Sequence, residues 1–235
     1  MASPSAARFV ESVLARAPRR AVLDCDGTLW SGDAGQDFFY WSIERKIVPD
    51  EIARRALPRY ADYKAGKVGE EEMCGEMVTL YQGLSDAGMR QAAEAFFCEQ
   101  VEARIFPEMR ELAERLAGAG CELWAVSSTN QWVIEAGAAR FGLPAERVLA
   151  AAVAIENGLA TGRLVRVPTD QGKARVVRER IAGPVDAAFG NSIHDAAMLS
   201  LARHAFAVNP NPDLVKLAQG NAWTIYWPGG GPEAV

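Results

Sequence analysis

The sequence predicts an α/β protein built on a doubly wound, mostly parallel sheet, with an all-helical insert after the first strand. Three observations predict it. Short apolar runs bounded by turn residues or helix starts recur at "AVLDC" (21–25), "ELWAVS" (122–127), "VDAAFG" (185–190) and "HAFAV" (204–208), the pattern of buried strands. Helical patterns separate these runs, the alternation expected of a parallel sheet covered on both faces. From about residue 33 to residue 103 the periodicity is helical throughout, with no convincing strand.

The elements follow in order. The opening "MASPSAARFVESVLARAPRR" lacks the long apolar region and cleavage site of a signal peptide, so it reads as an amphipathic helix of a cytoplasmic protein. "AVLDC" is the first strand. The insert over 33–103 breaks near Pro49, Pro58, "KAGKVG" and "GLSDAG", which predicts about four short helices. Placed between the first and second strands, it would sit over their carboxyl ends as a cap. The expected organisation is therefore a core of residues 1–32 and 104–235 with a helical cap of 33–103. After "ELWAVS", the stretch "LAAAVAIENGLATGRLV" carries turn signals at Asn157-Gly158 and Thr161-Gly162 and predicts a small β excursion. "AWTIYW" (222–227) reads as a further edge strand.

Composition narrows the function classes. A chain of 235 residues, 49% apolar, buries a proper core. No run reaches the ~18 apolar residues a membrane helix needs. The net charge of −5 comes with scattered Lys and Arg, which gives no electrostatic footprint for nucleic acid. Cys25, Cys74, Cys98 and Cys121 show no CxxC spacing and are expected as reduced thiols.

The strand ends carry the polar residues. In "DCDGT", Asp24 and Asp26 stand one residue apart in an extended turn, so both side chains can point the same way. Two carboxylates so close do not both ionise cheaply without a cation or a shared proton. At the second strand end, "VSSTN" offers the Ser127 hydroxyl, with Ser128 beside it, and backbone amides at a helix N-terminus to an anion. Lys173, in "TDQGKARVV", sits just inside a predicted helix, where a lysine is ordinarily solvated. The fourth strand ends in "FGNSIHDAAML", which brings Asn191 and Asp195 to the same edge.

Taken in this order, the four strand ends resemble the haloacid dehalogenase superfamily of phosphohydrolases, in its phosphoserine-phosphatase-like branch with a helical cap. The resemblance covers nearly the whole chain after residue 20: "DCDGT" is similar to the first motif, Ser127 to the second, Lys173 to the third and "GNSIHD" to the fourth. It implies a Rossmann-like core and a phosphomonoester hydrolase. Asp24 would be the nucleophile that forms an aspartyl-phosphate, and Asp26 the acid and then the base. Ser127 and Lys173 would hold the phosphate oxygens. The implied cofactor is Mg²⁺ on Asp24, the Asp26 carbonyl and Asn191.

Asn191 departs from the aspartate usual at its position, and it keeps an oxygen ligand while removing a charge. Asp195 would restore charge through a metal-bound water, with His194 beside it in an outer shell. The presence of Asp26 argues against dehalogenation, whereas a phosphotransferase with the same residues stays open, as does a metal-weakened binding protein.

In this branch an acidic residue after the first motif meets the substrate ammonium, and Asp33 stands at that spacing. The cap arginine that would meet a substrate carboxylate is replaced by Met77. The expected substrate is a small phosphorylated metabolite, a phospho-amine ahead of phosphoserine, with an aromatic cap side chain over the cation. Phosphoserine or histidinol phosphate is the alternative substrate, and the expected state is a monomer or homodimer.

Overall fold

The computed structural model describes residues 4–230. The described residues form a seven-stranded sheet in the order β4-β3-β2-β1-β5-β6-β7. These strands are β1 (Arg20–Leu23), β2 (Glu122–Asn130), β3 (Val148–Glu156), β4 (Leu159–Arg166), β5 (Ala187–Gly190), β6 (His204–Val208) and β7 (Thr224–Tyr226). Every neighbouring pair is parallel except β3 with β4.

Alternation along the short central strand divides the interior. Ala21 and Leu23 of β1 face one apolar core and Val22 faces the other. The first core is covered by α1 (Pro4–Leu14), α6 (Pro107–Gly118) and α7 (Gln131–Ala139), which contribute Val10, Val13, Met109, Leu112, Trp132 and Val133. The second is covered by α8 (Gln171–Arg180), α9 (Ala196–Leu199) and α10 (Pro212–Gly220) through Val176, Val177, Met198, Leu199 and Leu214. Helix α1 buries Ala6, Phe9, Val10 and Val13, one stripe at helical spacing, and Phe9 stacks on Tyr226 with ring centroids 3.9 Å apart.

The insert between β1 and β2 is helical: α2 (Ala34–Glu44), α3 (Asp50–Lys64), α4 (Glu70–Thr79) and α5 (Asp86–Phe96), then a wider π turn over Phe97–Val101. Breaks fall near Pro49 and "GLSDAG" as the sequence predicts, with Pro49 at the N-cap position of α3 and the Ser85 side chain capping α5, but Pro58 does not break a helix. It lies inside α3 on an exposed side, where water can satisfy the Arg54 carbonyl left without its usual donor. Phe38, Trp41, Tyr81 and Phe96 of the insert pack into the same core as Trp132 and Phe141, with Tyr81 edge-on to Trp132 at 5.7 Å. A small separate core of Phe39, Tyr60, Val68 and Met73 joins α2, α3 and α4.

The expected β excursion is a larger structure. β3 is a full member of the main sheet beside β2, and β4 returns antiparallel through Asn157 (φ 52) and Gly158 (φ 76), the two left-handed positions of a tight hairpin. The insert is bonded to this hairpin by main chain: Gly83 N to Ala160 O at 2.8 Å, Ala160 N to Leu84 O at 2.8 Å and Asp86 N to Gly158 O at 2.9 Å. "AWTIYW" shortens to β7 at the opposite edge. No helix among the described residues is long and apolar enough to cross a membrane, and the four cysteines are free thiols.

Candidate active site

The site grows from the carboxyl ends of β1, β2 and β5. β1 stops at Leu23, and the next residue, Asp24, is held by its own N–H on Phe189 O at 2.9 Å. Its buried carboxylate accepts from Lys173 Nζ on Oδ1 (2.6 Å) and from Thr28 Oγ1 on Oδ2 (3.0 Å). Lys173, on the first turn of α8, is not the solvated lysine its helix position suggests: it is 3% exposed and also meets Asp195 Oδ1 at 2.5 Å. One buried cation thus bridges two buried anions. Burial and the nearby Asp195 charge push the Asp24 carboxyl up to about 7 despite Lys173. The same two carboxylates raise the Lys173 ammonium above its ordinary value, against the cost of burial.

Asp26 is held by three donors. Trp30 Nε1 and Ala34 N donate to Oδ1, each at 2.7 Å, and Thr129 Oγ1 donates to Oδ2 at 2.8 Å. Burial outweighs these bonds and pushes the Asp26 carboxyl up to about 6, with the Asp33 charge adding to the rise. Both first-strand carboxyls therefore hold protons nearer neutrality than a free aspartate does.

Between the two aspartates and β5 the chain closes through Gly27 and Asn191. Gly27 has φ +73, and a Cβ placed there would lie 1.9 Å from Asn191 Nδ2. The absence of a side chain is what lets the Asn191 amide reach the first-strand loop.

Asp195, expected beside a metal-bound water, is engaged by the chain itself. Its Oδ2 accepts from Asn191 N and Ser192 N, both at 2.9 Å, and its Oδ1 from Lys173. It ties the loop to the lysine. His194 Nδ1 pairs with Asp170 Oδ1 at 2.8 Å on the rim.

Ser127 is buried, but the expected helix N-terminus lies further on: β2 continues to Asn130, whose side chain caps α7 by accepting from Val133 N at 3.1 Å. The Ser127 hydroxyl instead accepts from Thr129 N at 3.1 Å.

These side chains line a cavity of about 220 Å³ that reaches Asp24, Asp26, Ser127, Ser128, Lys173 and Asn191 on its floor and Asp33, Tyr63 and Glu70 on its roof. A second cleft shares that roof and continues under the insert past Tyr60, Met73, Cys74 and Met77. Lys173 is the one basic side chain, apart from His194 at the rim, among the described residues lining either space. Asp33 spends Oδ1 on capping α2, accepting from Gln36 N at 2.8 Å. Glu70 accepts from Tyr63 Oη, and Cys74 Sγ lies 3.6 Å from its Oε1.

Of the aromatic residues in and just before the insert, Tyr60 and Tyr63 reach the cleft, whereas Trp30, Phe38, Phe39, Trp41 and Tyr81 are core and Tyr40 is exposed. Thr28, Thr129 and Glu70 were not anticipated. The Gly-Thr after "DCD" and the third residue of "SSTN" were their only local signals.

Known proteins resemble this chain in sequence and in fold. The phosphoserine phosphatase SerB1 of Mycobacterium tuberculosis is 31% identical over 215 residues, covering 87% of this chain and 69% of that protein. The histidinol-phosphatase of Neisseria meningitidis serogroup C is 24% identical over 216 residues, covering 87% and 96%. A solved protein of unknown function from Bordetella pertussis Tohama I superposes with a TM-score of 0.77 at 24% identity, covering 88% of this chain and 98% of that one. Residues 21–200 match the family model of haloacid dehalogenase-like hydrolases, and the chain, with its motif residues gathered at one sheet edge, belongs to that family.

Proposed function

We propose that the protein is a Mg²⁺-dependent phosphomonoester hydrolase that works through an aspartyl-phosphate on Asp24 and prefers a small phospho-amine. The observation that carries this reading is the burial of Lys173 between Asp24 and Asp195: it fixes the nucleophile and supplies positive charge where a phosphate must approach. Asp24 attacks phosphorus in line, and the leaving oxygen takes the proton of Asp26. That carboxyl, pushed up to about 6, is suited to give a proton and take one back from the hydrolytic water. The Ser127 hydroxyl and Lys173 hold the nonbridging oxygens.

The donor set fits a hard divalent cation: the Asp24 carboxylate, the Asp26 carbonyl and the Asn191 side-chain amide would each offer an oxygen, and the bare Gly27 lets the Asn191 amide lie against the Asp26 loop. Bound there, Mg²⁺ would offset the repulsion between carboxylate and phosphate.

Residues 33–103 act in this reading as the cap that chooses substrate. Asp33 and Glu70 with Tyr60 and Tyr63 offer an ammonium two carboxylates and two aromatic faces. With Met77 in place of an arginine, a substrate carboxylate finds no cation beyond Lys173. The test is phosphate release from an aryl phosphate with and without Mg²⁺, together with acid quench after labelled substrate. Label should appear on Asp24, and Asp24→Asn should lose turnover while keeping its fold; turnover at the parent rate in that variant would sink the mechanism. The neutral Asn191 favours a second reading, a phospho-ligand binder without turnover, and the same assay separates the two.

A further inference from the structure

At the opposite edge of the sheet, where β1, β5 and β6 begin, a concave pocket of about 430 Å³ is lined by Arg16, Arg19, Arg20, Asp186, Arg203 and His204. Linear charge patterning does not show it, because Arg203 comes from a segment far from "RAPRR" in sequence. The carboxylates nearby are already engaged. Asp186 Oδ2 accepts from Arg19 N at 2.9 Å and Arg20 N at 3.2 Å, and its Oδ1 lies 3.5 Å from Arg203 Nη1. Glu122 accepts from Trp124 Nε1 at 2.7 Å and pairs with Arg20 Nε at 3.4 Å.

Four guanidinium groups therefore meet two carboxylates in a chain whose net charge is −5. Arg16 and Arg19 have no carboxylate partner among the described residues. Arg16 Nη1 instead meets His204 Nδ1 at 3.1 Å. A guanidinium only donates, so Nδ1 is the acceptor and the ring proton sits on Nε2 as a further donor.

We propose that this pocket is a binding site for a compact polyphosphate anion, separate from the catalytic centre. Guanidinium forks match phosphate oxygens two at a time, the uncompensated charge asks for an anion of at least two negative charges, and a concave space of this size suits a small ligand. β1 and β5 run from this pocket to Asp24 and Asn191, so the two sites stand at opposite ends of the same strands.

The test uses pyrophosphate as probe, titrated calorimetrically with chelator and no divalent ion, at about 0.15 M salt. Parent, Asp24→Asn and Arg16→Ala/Arg203→Ala are compared. Both proteins with the arginines intact should bind alike, and the double variant should bind about tenfold more weakly or worse. Aryl phosphate hydrolysis by the double variant should stay near the parent value. Arg203 is 69% exposed, so Arg203→Ala alone should keep the fold and show part of the loss. No binding by the parent overturns the proposal, as does binding lost in Asp24→Asn but kept in the double variant. A single-stranded oligonucleotide that displaces pyrophosphate and binds more tightly would also overturn it.

Discussion

Asn191 occupies the space that a side chain on Gly27 would need, with its Nδ2 1.9 Å from the position of a Cβ there. Two loops from different strands are thus interlocked at a single missing methyl group. Gly27→Ala should fail twice: alanine resists φ +73, at a cost of about 1–2 kcal/mol, and the methyl pushes Asn191 off the loop. The expected outcome is a measurable loss of stability in urea and a fall in kcat/KM of about a hundredfold or more. Parent kinetics in this variant would show that Asn191 does not need its present place.

Asn191→Asp should tighten Mg²⁺ about tenfold, on the order of 1.4 kcal/mol, because a charged oxygen replaces a neutral one around a hard cation. Calorimetric titration of the metal reads this directly, without turnover. Unchanged affinity would remove Asn191 from the ligand set.

Lys173→Met leaves Asp24 and Asp195 facing each other in a buried site without their cation. Removing one partner of a buried pair costs about 3–5 kcal/mol, so denaturation should show a large loss. Adding Asp195→Asn to that variant should recover part of it, since one of the stranded charges is gone. A double variant no more stable than Lys173→Met would mean that the lysine stabilises by packing and not by charge.

Asp33→Asn separates substrate reading from local structure, because asparagine caps a helix about as well as aspartate. The α2 cap on Gln36 N should survive while the charge goes. The expected result is a loss of about 1.5–3 kcal/mol in transition-state binding for phosphoethanolamine and almost none for an aryl phosphate, read as a ratio of kcat/KM values. Glu70→Gln should shift the same ratio in the same direction. Equal losses for both substrates would make Asp33 a support of the catalytic loop, and a parent that prefers phosphoserine to phosphoethanolamine would undo the Met77 argument.

What could be read from the sequence follows from what is local. Asp24, Asp26, Ser127, Lys173 and Asn191 each stand at or near a strand or helix end, where an apolar run meets a polar one, so their convergence is written in one dimension once the sheet is parallel. The bonds of Asp195 to two backbone N–H groups and to a lysine 22 residues earlier are not legible in the sequence, because they belong to the turn geometry and not to spacing. The place of β3 in the main sheet is not legible, because "LAAAVAIE" is alanine-rich and short of the usual β-branched signal, yet it is buried along most of its length as a central strand is. Glu70 carries no local mark, and Tyr63 is one of several cap aromatics with nothing to single it out. Their meeting with Asp33 depends on how α3 and α4 turn over the sheet, which periodicity does not specify.

The three main-chain bonds between the insert and the 158–160 turn have a bearing on engineering. A chimera that exchanges this helical insert must restore these bonds or leave peptide groups of the turn without partners. Single replacements at Asp33, Glu70 and Met77, the positions proposed to read the substrate, leave all three bonds in place.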